Sequence, residues 1–159
     1  MPTMSASAYS STRTIDNDSI ASGYGNYNYG FTYIKASSLY NGDARLSSTS
    51  VSSPRYCWDY PTMSSSGSTC TIKVQAYLNH ASFTDTAAYY VEYSPNISLR
   101  IGFINQEKAP GGWSGISRVS IPPASGTSGF SSSTAEVNPS GASGKQTGAD
   151  GLKVTMLVS

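Results

Sequence analysis

The residue types that most often carry out catalysis are sparse in this 159-residue chain. His80 is its only histidine, so a Ser-His-Asp triad would have to combine it with Asp85 or another acid. No Gly-x-Ser-x-Gly elbow accompanies the many serines, and zinc-ligand and phosphate-loop spacings are missing. The nine acidic residues are scattered, with no pattern that pairs two of them as in a glycosidase. The sequence therefore predicts a protein that is not an enzyme.

Three aspartates have the oxygen chemistry that calcium prefers. Asp16 and Asp18 are spaced like oxygen ligands, and Asp150 joins them if the terminal strands are neighbours. The alternative is that Asp16 and Asn17 cap a turn through hydrogen bonds to the backbone, which is the commoner use of such residues. A structural calcium ion is thus one prediction, and the sequence indicates no other cofactor.

A surplus of aromatic residues favours binding by stacking, because the chain contains 12 Tyr, 4 Phe and 2 Trp. Tyr24, Tyr27 and Tyr29 lie in a Gly/Asn-rich segment with strong turn chemistry, where we expect at least one exposed ring. Sugar rings place apolar C–H faces on such flat side chains, while their hydroxyls need polar partners. The alternative is that these rings pack over one end of the fold.

Other candidate ligand-binding residues lie further along the chain. Asn79, His80 and Asp85 offer polar groups on one predicted loop, between two runs of strand-like sequence. Trp113 either contacts a ligand or packs at the edge of the fold, and Gln106 either contacts a ligand or hydrogen-bonds a loop backbone.

Composition excludes several partners. Only 12% of the residues are charged and the net charge is +1, so no overall field attracts nucleic acid or anionic lipid. No run of about 18 apolar residues is present, which predicts no membrane-spanning helix. Residues 1–7 lack the basic and apolar regions of a signal peptide, although the polar, serine-rich composition is typical of exported proteins.

The stretch from Cys70 to Trp113 contains three runs in which apolar and polar residues alternate, at 72–78, 89–93 and 97–103. A period of two with β-branched and aromatic residues is typical of strands that bury one face. Because the break at 94–96 is short and contains Pro95, the second and third runs are predicted to form an antiparallel hairpin.

Similar patterns before and after this stretch predict about eight short strands in all. In one of them, Tyr56, Trp58 and Tyr60 share a face. The predicted fold is therefore all-β, an antiparallel β-sandwich of the jelly-roll type, formed by residues 14–159 after a flexible lead-in at 1–13.

Cys57 and Cys70 flank a Ser/Gly-rich loop. If the runs 55–60 and 70–78 pair antiparallel, their sulfurs meet across the hairpin, and closing a loop of about 15 residues is worth roughly 3 kcal/mol. Such a disulfide would imply an oxidising compartment. The alternative is two buried thiols.

An ordered set of short motifs resembles the golvesin C-terminal-like domain, which is also appended to xanthan lyases and other secreted bacterial enzymes. The motifs, which span about residues 14–157, are Ile15–Asp18, Lys73–Tyr77, Ala88–Val91, Ile104–Gln106, Gly111–Trp113 and Gly148–Val154. The resemblance implies a galactose-binding-like jelly roll, secreted or at the cell surface, that acts as a carbohydrate-binding or accessory module. The chain departs from the family in its two cysteines, its serine-rich tail and Ile116-Ser117 in place of Leu-Gly.

Two functional hypotheses follow. The first is a non-catalytic module that recognises an extracellular polysaccharide or glycan, alone or within a larger enzyme. The second is a structural or adhesive surface protein that self-associates through exposed strand edges.

Overall fold

The structure is a computed structural model that describes residues 9–17, 26–61, 70–94, 97–109, 111–116, 119–121 and 132–158. Within these ranges the chain is almost entirely β-structure, with single turns of 3₁₀ helix at Tyr40–Gly42 and Gln106–Lys108. No helix in this part of the chain is long and apolar enough to cross a membrane. The strands are β1 (Tyr9–Ile15), β2 (Tyr27–Tyr29), β3 (Phe31–Lys35), β4 (Asp43–Ser47), β5 (Arg55–Pro61), β6 (Cys70–Leu78), β7 (Thr86–Ser94), β8 (Ile97–Asn105), β9 (Gly112–Gly115), β10 (Val119–Ile121), β11 (Ser132–Asn138), β12 (Gly148–Ala149) and β13 (Leu152–Val158).

The strands form two larger antiparallel sheets and one small sheet. The first sheet has the order β1-β13-β6-β10, with β9 also paired to β6; the second has the order β2-β5-β11-β7-β8. Successive strands cross repeatedly from one of these sheets to the other, which is the connectivity of a double-sheet jelly roll. The predicted all-β antiparallel jelly roll is therefore confirmed. The small sheet has the order β12-β4-β3.

The inner faces of the two larger sheets share one hydrophobic core. Tyr56, Trp58 and Tyr60 enter it from β5, as their alternation predicts, and each is at most 2% exposed. Val74 of β6 and Val154 of β13 face them from the other sheet and are also buried. Burying a large apolar side chain contributes about 1.5–3 kcal/mol, so these alternating runs fix which face of each strand turns inward.

The predicted hairpin is present. β7 and β8 pair antiparallel from Thr86 opposite Asn105 to Ser94 opposite Ile97, with register shifts that mark β-bulges. The first strand, β1, begins at Tyr9, inside the range that the sequence predicted as a lead-in, because each of its residues has a partner in β13.

The predicted pairing of the two cysteine-bearing strands is wrong. β5 lies between β2 and β11, whereas β6 lies in the other sheet beside β13. Cys57 alternates with the core residues of β5, so its side chain is on the outer face of its own sheet, opposite Tyr27 and Glu136. No disulfide is present in the part of the chain that the structure describes. The two cysteine-bearing strands therefore belong to different sheets and do not form the hairpin that would have joined the cysteines.

Candidate functional site

The outer face of the five-stranded β2-β5-β11-β7-β8 sheet carries exposed aromatic residues. Because Tyr56 and Trp58 point inward, Arg55 and Cys57 point outward, and their register partners Tyr29 and Tyr27 lie on the same outer face. Continuing across the sheet, the paired residues on this face are Glu136, Tyr90, Arg100, Ala88 and Phe103. We call this surface the tyrosine face.

Tyr27 and Tyr29 stand at one edge of the tyrosine face, and each is 47% exposed. The Arg55 guanidinium lies 4.9 Å from the centroid of the Tyr27 ring. A hydrogen bond with Tyr27 and the nearby charge of Glu136 raise the pKa of Arg55. The two tyrosine rings therefore lie beside Arg55, a hydrogen-bond donor, and near Glu136, a hydrogen-bond acceptor. Tyr24, the third predicted member, lies outside the described residues.

Phe103 stands at the opposite edge of the same face and is 56% exposed, with the Arg100 guanidinium 4.9 Å from its ring centroid. Four strand-to-strand steps separate β2 from β8, which places the two edges about 19 Å apart. The sequence analysis missed Phe103 and Arg55 as site residues because only the strand register shows that they share a face with the tyrosines.

A cleft of about 460 Å³ brings together three other predicted residues, Asn79, His80 and Gln106. The Nδ2 of Asn79 donates to the Ser38 carbonyl at 3.2 Å. The Nδ1 of His80 accepts from the Ser82 backbone N–H at 3.1 Å, so a neutral His80 ring carries its proton on Nε2. This tautomer is the opposite of the one a catalytic triad needs, where Nδ1 donates to an aspartate.

Gln106 is 4% exposed and its amide is fully used inside the protein. Its Nε2 donates to the Tyr89 hydroxyl at 2.9 Å and to the Gly148 carbonyl at 3.0 Å, while its Oε1 accepts from the Gly148 N–H at 2.7 Å. Burial raises the pKa of Tyr89, which keeps that hydroxyl neutral. The Gln106 amide therefore links the Tyr89 hydroxyl to the backbone of Gly148, and its contacts with Gly148 correspond to the second of the two roles that the sequence left open.

Asp85 is also buried, at 2% exposure. Its carboxylate accepts from the Ser140 backbone N–H and the Thr147 hydroxyl, both at 2.7 Å, and from the Ser140 hydroxyl. Burial on its own raises the pKa of Asp85, but these hydrogen bonds outweigh it and lower the pKa below its ordinary value. Asp85 thus organises the loop that follows β11 from inside the protein.

Trp113 is half-buried in an aromatic cluster on the other sheet. Its ring makes edge contacts with Tyr40 and Tyr77 at centroid distances of 5.4 and 5.3 Å. The Lys153 ammonium lies 4.1 Å from the Trp113 centroid. These neighbours surround the indole with protein, which corresponds to the packing role.

Two of the three predicted calcium residues, Asp16 and Asp150, lie near the junction of β1 and β13. Asp150 is 2% exposed and accepts from the Tyr40 and Gly151 N–H groups at 2.9 and 2.8 Å. Burial, and then the charges of Asp16 and Asp43, raise the pKa of Asp150 to about 7.

The neighbouring residues Asn17 and Asp43 contain buried polar atoms that lack hydrogen-bond partners in the described part of the chain. Both side-chain polar atoms of the buried Asn17, and Oδ1 of Asp43, have no hydrogen-bond partner among the described residues. However, no group of three or more acidic, histidine or cysteine side chains in the described part of the chain is arranged to hold a metal. Asp18 lies outside that part, and calcium remains a prediction.

Comparisons with known proteins complete this description. No protein-family model matches the chain, and no curated protein matches it. Among solved structures it is similar to a cleaved adhesin domain of Lys-gingipain from Porphyromonas gingivalis, with 14% identity, a TM-score of 0.43, and coverage of 94% of this chain and 98% of that one. The resemblance to the golvesin C-terminal-like domain remains a prediction.

Proposed function

We propose that this protein is a non-catalytic carbohydrate-binding module whose ligand lies across the tyrosine face. One observation carries the proposal: Tyr27 and Tyr29 present half-exposed rings on the same side of β2, although burial of such rings would stabilise the fold. Flat rings that point outward from a paired strand present apolar surface on which a sugar ring can stack.

The groups beside these rings suit a polyhydroxylated ligand. Arg55 donates hydrogen bonds and Glu136 accepts them, and the register places both on the outer face beside the tyrosines. Phe103, about 19 Å away at the far edge, supplies another exposed ring. An extended chain of several sugars crossing the strands would reach both edges, whereas a single sugar would not. The proposed ligand is therefore a polysaccharide.

The tyrosine face, rather than the cleft at His80, is our choice of site. In the cleft, the Gln106 amide is fully hydrogen-bonded to protein and Asn79 donates to Ser38. Those groups would have to break existing bonds to bind a ligand. On the tyrosine face, binding covers ring surface that water already contacts.

A second candidate function is self-association through the edge strand β8. This strand has nine residues, pairs with β7 alone among the described strands, and carries the exposed Phe103. A long edge strand presents unpaired N–H and C=O groups that can pair with another copy. Its structural or adhesive role would require no sugar.

A glycan array with matched variants tests the proposal. The double variant Tyr27→Ala/Tyr29→Ala should weaken polysaccharide binding by about tenfold or more, because two aromatic contacts are lost. Tyr33→Ala is the control, since Tyr33 is 45% exposed but lies on β3 in the small sheet. Equal binding by the parent and the double variant would contradict the assigned site. A parent that binds no glycan but grows in mass with concentration in light scattering would favour self-association.

A further inference from the structure

The outer face of the other large sheet differs in charge from the tyrosine face. Val74 and Val154 point into the core, so Lys73, Gln75, Lys153 and Thr155 point outward on the paired strands β6 and β13. We call this surface the lysine face. At its end, the Lys153 ammonium rests over the Trp113 ring at 4.1 Å.

The charges on the lysine face all have one sign. Among the described residues that point outward from this sheet, only Lys73 and Lys153 are charged. Neither lysine forms an ion pair with a described residue. Lys73 is opposite Thr155 and Lys153 is opposite Gln75, so the two lysines are diagonal neighbours, with α-carbons roughly 7–8 Å apart. The α-carbons of the two lysines are therefore close, while the Lys153 ammonium extends toward Trp113 and the Lys73 ammonium has no ion-pair partner among the described residues.

The tyrosine face provides the contrast. There Arg55 lies beside Glu136, and this acid partly neutralises the local charge. A chain with a net charge of +1 therefore has two unlike surfaces: the described positions of the tyrosine face carry both signs of charge, and those of the lysine face carry lysines alone. Interactions between exposed charges decay over about 8–10 Å, so a ligand on the lysine face experiences mainly the two lysines.

We propose that the lysine face is a second binding surface, and that it binds an acidic polysaccharide. Carboxylate or sulfate groups of the polymer pair with Lys73 and Lys153, while Gln75 and Thr155 exchange hydrogen bonds with sugar hydroxyls. The surface extends along two long paired strands, which suits a polymer better than a small enclosed anion.

The number of charges distinguishes the partner. Proteins that bind duplex DNA typically neutralise about 6–10 phosphates, and recognition of anionic lipid usually takes clusters of about 4–8 basic residues. Two lysines fall well below both. A sugar polymer supplies hydroxyls and apolar C–H surface as well as charge, so two lysines with Gln75 and Thr155 form a balanced set of contacts.

The test is titration of the parent and its variants with polygalacturonate, dextran sulfate and neutral dextran at low and physiological salt. Lys73→Gln/Lys153→Gln should weaken binding of the two acidic polymers by about tenfold, since both ion pairs with the polymer are lost. Lys73→Arg/Lys153→Arg should keep most of the affinity, because the charge is retained. Lys35→Gln/Lys108→Gln removes two exposed lysines elsewhere and is the matched control.

Several results would overturn this inference. They are unchanged binding by the Gln double variant with its thermal unfolding intact, an equal loss in the control, or parent binding to duplex DNA or anionic vesicles as tight as to polygalacturonate. The inference does not depend on the tyrosine face. Tyr27→Ala/Tyr29→Ala should bind the acidic polymers like the parent, so failure at either surface can be recognised separately.

Discussion

Asp85 and Asp150 are both 2% exposed, yet their surroundings are opposite. Asp85 accepts hydrogen bonds from a backbone N–H and two hydroxyls, and its pKa is lowered. Asp150 accepts from two N–H groups but lies near other acids, and its pKa is raised to about 7. Burial by itself therefore does not decide the charge of a carboxylate; the donors and charges that surround it do.

The comparison assigns different roles to the two regions. Both carboxylate oxygens of Asp85 accept hydrogen bonds, so Asp85 acts as a structural joint that holds the loop after β11 in place. Around Asp150, burial and the charges of Asp16 and Asp43 disfavour the ionised carboxylate. A proton on Asp150, or a cation bound beside it, would relieve that repulsion.

Asp85→Ala should lower the free energy of unfolding by about 4 kcal/mol, because hydrogen bonds to a charged group are each worth about 1.5–3 kcal/mol and their donors would be left unpaired. Urea unfolding at neutral pH measures the loss. Asp59→Ala is the control: Asp59 accepts from the Thr134 hydroxyl at 2.8 Å and is only half-buried, so about 1 kcal/mol is expected. Equal losses would show that Asp85 is not a structural joint.

Calcium at 100 times its dissociation constant should raise the free energy of unfolding by about 2.7 kcal/mol if Asp16, Asp18 and Asp150 bind it. Thermal unfolding in calcium and in EDTA measures the shift. The variant Asp16→Asn/Asp150→Asn should lose the shift, whereas Asp59→Ala should keep it. Identical unfolding curves in calcium and EDTA would reject the site and leave the turn-capping role of Asp16.

In EDTA, stability should fall as pH rises from about 4 to 7, with a slope of up to about 1.4 kcal/mol per pH unit. In the folded protein the pKa of Asp150 is about 7, whereas in the unfolded chain it is near the ordinary value of 3.8. Over that interval the folded state binds more protons, so raising the pH favours unfolding. Asp85 has the opposite sign, because its folded pKa is lowered; its contribution disappears only at more acid pH.

Urea unfolding across this pH range measures the slope. Asp150→Asn should flatten it, because the titrating group is gone, while Asp59→Ala should leave it unchanged. A slope that persists in Asp150→Asn would assign the titration to another residue.

The sequence predicted which face of a strand is buried better than it predicted which strands are paired. Alternation correctly identified the inward side of Tyr56, Trp58 and Tyr60, and the short break at 94–96 correctly predicted the β7–β8 hairpin. Pairing of β5 with β6 was wrong, because strands that are adjacent in sequence cross between sheets in a jelly roll. Alternation of apolar and polar residues shows which side of a strand is buried, but it does not show which strand lies beside it in the sheet.

The candidate site shows the same division. The polar turn-forming sequence around Tyr27 and Tyr29 predicted exposed rings, and both rings are half-exposed. Asp85, in contrast, was predicted from the sequence to offer its carboxylate on a loop. Its hydrogen-bond donors, Ser140 and Thr147, are 55 and 62 residues away along the chain. Local sequence contains no sign of contacts made over such separations.

The pairing of β1 with β13 determines how the fold would respond to force. Tyr9 is opposite Val158 and Ile15 is opposite Leu152, so the outer ends of both terminal strands leave the sheet side by side. Tension applied through these ends would load one residue pair at a time, beginning with Tyr9 and Val158. Strands that are separated in this way part at lower tension than strands pulled past each other in shear, where all the hydrogen bonds between them share the load.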